Sequence, residues 1–71
     1  MNLNREALRH MRELSGHTQT SLAEIVAVDK STINRLESGT RNPSPTLMRE
    51  LAAALGCPLH ALIGPNGEAA G

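Results

Sequence analysis

Between Asp29 and Ser38 the chain reads DKSTINRLES. At 100° per residue, Ser31, Asn34 and Arg35 fall on one side of a helix, with Lys30 and Thr32 on its flanks. Ile33 and Leu36 point the other way, with Val28 beneath them. The outer face is short, polar and rich in donors. Its chemistry is recognition by hydrogen bonding: an Arg fork matches the acceptors of guanine, and an Asn amide matches adenine. A small helix with this face fits the major groove of a duplex. Asp29 is the only acid nearby, and capping of the helix explains it. The plain alternative is a solvated surface.

Other chemistry finds little support. Ser15, Ser21 and Ser31 have no His and Asp companions in a recognisable arrangement, and no Gly-rich phosphate loop or paired-carboxylate cleft is present. An enzyme is therefore not expected. His10, His17 and His60 are scattered, and no Cys/His pair has zinc-finger spacing, so neither a metal nor a cofactor is expected. The single Cys57 cannot form an intramolecular disulfide, and it reads as a small core residue in a reduced, intracellular setting.

The elements that must position the polar face follow from length and pattern. Seventy-one residues make one domain with a small core. There is no Phe, Tyr or Trp, so that core is built from Leu, Ile, Val, Ala and Met, which suits closely packed helices. Seven basic and seven acidic residues balance, so any electrostatic footprint must come from their distribution. No signal core and no membrane-length apolar run occurs.

Five helices and no strand are expected. Asn4 caps the first, with Leu3 and Leu8 placed as a hydrophobic staple. Ala7, Leu8, Met11 and Leu14 recur at helical spacing up to Gly16. Thr18 caps the second, whose apolar face is Leu22, Ala23, Ile25 and Val26. Asp29 caps the third, which stops at Gly39. Ser44 caps the fourth, with Pro45 in the first turn and Leu47, Met48, Leu51, Ala52 and Leu55 as its stripe. Pro58 opens a short fifth helix over Leu59 to Ile63, ended by Gly64 and Pro65. The second and third helices are too short to be stable alone. They persist only when packed on the rest. The tight turn Ala27-Val28-Asp29 then holds the second helix across the back of the third.

At this point the segment resembles the helix-turn-helix of the Cro and phage-repressor family, often called the XRE family. The residues that carry the resemblance are Thr18-Gln19, Leu22-Ala23, Val28, Ser31-Thr32-Ile33, and Leu36-Glu37-Ser38-Gly39 with Arg41 and Pro43. Leu47, Leu51-Ala52, Ala54-Leu55-Gly56, Leu59 and Leu62 also fit, so the likeness runs from about Leu8 to Ile63. It implies an all-α, compact five-helix bundle of the lambda-repressor-like kind over residues 1–64, with a disordered tail over 65–71. It further implies binding of double-stranded DNA as a dimer, to control transcription from the cytosol of a bacterium or a phage-infected host.

Residue by residue, the resemblance assigns base reading to Lys30, Ser31 and Arg35, beside Asn34 from the helix face. It assigns phosphate contacts to Gln19, Ser38 and Arg41, with Thr18 at the same helix end. It pairs Arg12 with Glu37 as a buried ion pair; two exposed side chains are the alternative. Glu37 lies beside Ile33 on the packed side, where a lone carboxylate would be costly. The family usually has Gly where Ala27 stands. If that residue takes positive φ, Ala costs about 1 kcal/mol there. Thr40 replaces a common basic residue and His17 a usual aliphatic.

One recognition helix reads too few base pairs for specificity, so a palindromic operator and a two-fold dimer are expected. Leu59, Leu62 and Ile63 are the expected interface, small enough for a weak homodimer completed on DNA. The 71 residues leave no room for a sensor or protease domain, which favours a small Cro-like repressor without a ligand switch. An antitoxin that binds DNA and a partner protein is the alternative, and a controller of a restriction system is a further regulator variant.

Overall fold

The computed structural model describes residues 2–64. The expected tail over 65–71 lies outside the described residues. Four α-helices form: α1 (Arg5–Leu14), α2 (Gln19–Ile25), α3 (Lys30–Ser38) and α4 (Pro45–Leu55). The caps explain where they begin. Asn4 Oδ1 accepts from the Ala7 amide at 3.1 Å. Thr18 Oγ1 accepts from the Ser21 amide while Ser21 Oγ accepts from the Thr18 amide, each at 3.0 Å, closing a reciprocal capping box. Ser44 Oγ accepts from the Leu47 amide at 3.1 Å. Such caps are worth about 1 kcal/mol each.

The core is one cluster drawn from every element: Leu3, Leu8, Leu22, Ala23, Val26, Ile33, Leu36, Met48, Leu51, Ala52, Leu55 and Leu62. Burying each large side chain contributes about 1.5–3 kcal/mol, which is what holds helices this short in place. The staple residues Leu3 and Leu8 both belong to this cluster.

Several expectations are corrected. The fifth helix is a single 3-10 turn, Leu59–Leu62. It has only four residues after Pro58, and its amides bond three positions back, Ala61 to the Pro58 carbonyl at 3.0 Å and Ile63 to the His60 carbonyl at 3.3 Å. Ile63 then leaves the helical region, with φ −107° and ψ 142°, to form an antiparallel bridge with Leu3. The Asn4 amide bonds the Leu62 carbonyl at 2.7 Å, and the Gly64 amide bonds the Asn2 carbonyl at 3.1 Å. This pairing joins residues too distant in sequence for a local pattern to reveal.

Asp29 occupies the position before α3 but its carboxylate makes no capping hydrogen bond. The backbone alone serves there, with the Asp29 carbonyl accepting from the amides of Thr32 (2.9 Å) and Ile33 (3.4 Å). Leu14 and Ile25 are exposed rather than packed. Each lies at the last residue of its helix, where the chain turns away before another element can cover the stripe. Thr32 is buried rather than flanking the polar face.

Candidate nucleic-acid interface

Two features fix α3 against the domain. The first is the turn from α2. Val28 donates to the Ala23 carbonyl at 2.9 Å, and Ala27 to the Glu24 carbonyl at 3.3 Å. To make this reversal Ala27 takes φ +60°, the only positive φ at a non-glycine residue among those described. A β-carbon is disfavoured in that region.

The second is an ion pair from α1. Arg12 Nε donates to Glu37 Oε2 at 2.6 Å and Nη2 to Glu37 Oε1 at 3.2 Å, a bidentate fork. The two side chains are 12% and 6% exposed. Arg12 Nη1 also donates to the His17 carbonyl at 2.9 Å, and Gln19 Nε2 donates to Glu37 Oε1 at 3.1 Å. One carboxylate thus ties α1, the start of α2 and the end of α3 together. The hydrogen bond to Glu37 holds the Arg12 guanidinium above its usual pKa, against the opposing effect of burial. It remains charged at any working pH.

Gly39 ends α3 with φ +84°. The backbone there passes so close to Arg5 that a β-carbon would collide with its guanidinium. Arg5 Nη1 donates to the Ser38 carbonyl at 3.2 Å, so α1 meets the end of α3 a second time.

With its inner face held by Thr32, Ile33 and Leu36, α3 presents Lys30, Ser31, Asn34 and Arg35 to solvent. Among the described residues, no hydrogen bond or ion pair engages the side chain of any of these four. They are hydrogen-bonding groups held on a rigid element and turned to solvent.

The expected phosphate residues are placed around this face in different states. Thr18 and Arg41 are exposed. Ser38 is exposed, and its hydroxyl donates to the Arg35 carbonyl at 3.2 Å. Gln19 is half-buried and spends one amide hydrogen on Glu37, leaving the other. A shallow recess lies beside them, lined by Arg9 and Glu13 from α1, Gln19 from α2, and Asn34 and Ser38 from α3, with the Arg12–Glu37 pair alongside. Arg9 and Glu13 escaped the sequence pattern, although Arg5, Arg9 and Arg12 recur at the spacing of one helical stripe.

The expected dimer patch is corrected in part. Leu62 is fully buried in the core and cannot also meet another chain. Leu59 and Ile63 are half-buried, packed against the core with part of their surface open. Among the described residues there is no group of His, Cys, Asp and Glu side chains that could hold a metal, and no helix is long and apolar enough to cross a membrane. Burial pushes the Cys57 thiol up from its usual pKa, away from the reactive thiolate.

This arrangement of short helices can be set beside known proteins. The family described as helix-turn-helix (HTH_3) matches residues 8–62. The chain belongs to this XRE-type helix-turn-helix family. A competence pilus inhibition repressor of Acinetobacter baylyi is 39% identical over 51 residues, covering 72% of this chain and 46% of that protein. An uncharacterized HTH-type transcriptional regulator of Methanothermobacter thermautotrophicus is 44% identical over 52 residues, covering 73% of this chain and 75% of that one. The chain thus spans under half of the first relative and three quarters of the second. Among solved structures, the restriction-modification controller protein C.AhdI of Aeromonas hydrophila superposes with a TM-score of 0.79 at 32% identity, over 83% of this chain and 89% of that chain. The likeness takes in the helix-turn-helix from α2 to α3 and the helices packed on either side of it.

Proposed function

We propose that this protein is a sequence-specific regulator of transcription that reads double-stranded DNA through α3, as a small Cro-like repressor on a palindromic operator. The observation that carries the reading is the exposed donor face of α3, with Lys30, Ser31, Asn34 and Arg35 unengaged on a helix whose other side is locked into the core. Membership of the helix-turn-helix family and relatives named as a repressor and a transcriptional regulator support it.

In this mechanism α3 enters the major groove. Arg35, long and central on the face, takes the acceptors of a guanine; Asn34, Ser31 and Lys30 meet neighbouring bases. Thr18, Gln19, Ser38 and Arg41 hold the phosphates on either side and set the angle of approach. Arg12 and Glu37 touch no DNA and keep the start of α2 and the end of α3 in fixed relation. Two copies related by a two-fold axis read half-sites about 34 Å apart. Leu59 and Ile63 supply their contact, which is small enough that the dimer is completed on DNA.

Selection from a random duplex library tests the reading. The wild type should enrich a palindromic site. Arg35→Ala should bind that site about 1–3 kcal/mol more weakly and lose preference at one position in each half. Identical selected sequences for the two proteins would remove Arg35 from base reading. Failure of the wild type to enrich any site would remove the function. A controller of a restriction-modification system is a second reading within the same class, favoured by the likeness to C.AhdI. Adjacent genes for a methyltransferase and an endonuclease would select it.

A further inference from the structure

We propose that the recess between α1 and α3 receives a backbone phosphate of the bound duplex, met by Arg9 after it releases Glu13. The inference rests on the DNA-binding reading and adds a contact and a counter-contact to it. Asn34 and Ser38 line the recess and also border the reading face, so a duplex seated on α3 carries its backbone past this opening. A phosphate there needs a cation. Arg12 is poorly placed to serve: its charge is paired with Glu37, three of its five N–H groups are spent on Glu37 and the His17 carbonyl, and its side chain is only 12% exposed.

Arg9 can serve. Its Nε is 3.4 Å from Glu13 Oε2, and the two side chains are 67% and 54% exposed. An exposed pair four residues apart on a helix is weak. A guanidinium forks onto a phosphate with charge-assisted hydrogen bonds, so the exchange favours the duplex.

Glu13 has the opposite effect. Glu37 is neutralised by Arg12, which leaves Glu13 as the acid that an incoming phosphate meets. Its Oε2 is 4.0 Å from Arg12 Nη2 as well, so it is held near the recess by two cations. Glu13 therefore restrains binding to any duplex, selected or not. Specific contacts from α3 must outweigh it, so it lowers occupancy of selected and random duplexes alike and leaves their ratio unchanged.

The test uses the full chain, a duplex selected by the wild type and a random duplex, titrated by fluorescence anisotropy across a salt series. Arg9→Gln should flatten the log–log salt dependence by about one unit per protomer. Glu13→Gln should tighten both duplexes roughly two- to fivefold, the effect of one like charge close to a phosphate in a wet site. Arg49→Gln and Glu50→Gln, exposed on α4 and outside the recess, remove the same charges as controls. Equal effects from the controls would reduce the result to net charge and overturn the inference. An unchanged slope for Arg9→Gln, or unchanged affinity for Glu13→Gln, would overturn it while leaving DNA binding intact. A wild type that binds no duplex would overturn the function itself. Circular dichroism checks the fold, and Glu13→Gln decides the matter should Arg9→Gln be misfolded.

Discussion

Arg12→Met strands the Glu37 carboxylate. In the wild type that carboxylate is 6% exposed and accepts two hydrogen bonds from Arg12, at 2.6 and 3.2 Å, and one from Gln19 at 3.1 Å. The variant keeps only the neutral Gln19 bond. Breaking one side of a buried pair costs about 3–5 kcal/mol, since the remaining charge is left desolvated. The His17 carbonyl loses its donor too, about 1 kcal/mol of that total. A domain of this length holds roughly 4–10 kcal/mol in all, so the variant should be close to unfolding. Arg12→Met/Glu37→Met removes the stranded charge and should regain part of the loss. The part not regained is the bond to His17 and the acceptor of Gln19. Urea melts followed by circular dichroism measure this, since a chain without Trp or Tyr gives no useful intrinsic fluorescence. A double-mutant cycle should give a coupling of about 1–3 kcal/mol. Single changes each costing under about 1 kcal/mol and summing in the double would refute the argument, because an uncoupled pair is not a desolvated one.

Two other outcomes follow from the same geometry. Ala27→Gly relieves a β-carbon held at φ +60° and should stabilise the domain by about 0.5–1 kcal/mol, raising Tm by several degrees; a lower Tm would mean that the turn is not strained. Sedimentation should show a free monomer at micromolar concentration and two chains on one palindromic duplex, since Leu59 and Ile63 alone offer little apolar contact once Leu62 is spent in the core. One chain on an intact palindrome, or a tight dimer without DNA, would overturn that assignment.

Local chemistry was the legible part of the sequence. The caps at Asn4, Thr18 and Ser44 are satisfied within three residues of the cap, so their residue types are enough to place helix starts. The two faces of α3 were separable because Ile33 and Leu36 repeat at helical spacing against an unbroken polar side. The errors lie where the answer depends on a distant partner. Leu14 and Ile25 have the right period, but whether the last turn is covered depends on where the next element goes. Asp29 has the right type for a cap, yet type does not fix a rotamer. Leu62 and Ile63 look alike in sequence, yet Leu62 is fully buried while Ile63 pairs with Leu3 and stays half-buried. Arg9 and Glu13 look like an ordinary solvated pair until the approach of α3 makes them line a recess.

The bridge between Leu3 and Ile63 makes the described chain a ring held shut by hydrogen bonds. Closing so long a loop costs more entropy than any other contact in the fold, so it should be among the last joined and the first opened. The amides of Asn4 and Gly64 both donate across it. They should therefore lose protection from hydrogen exchange together, although they come from opposite ends of the chain. Ile63 belongs both to this clasp and to the surface proposed to meet a second copy. Lifting residues 2–4 away would free it from its backbone partner and reshape that surface, so in the proposed dimer the leading segment would have leverage over assembly.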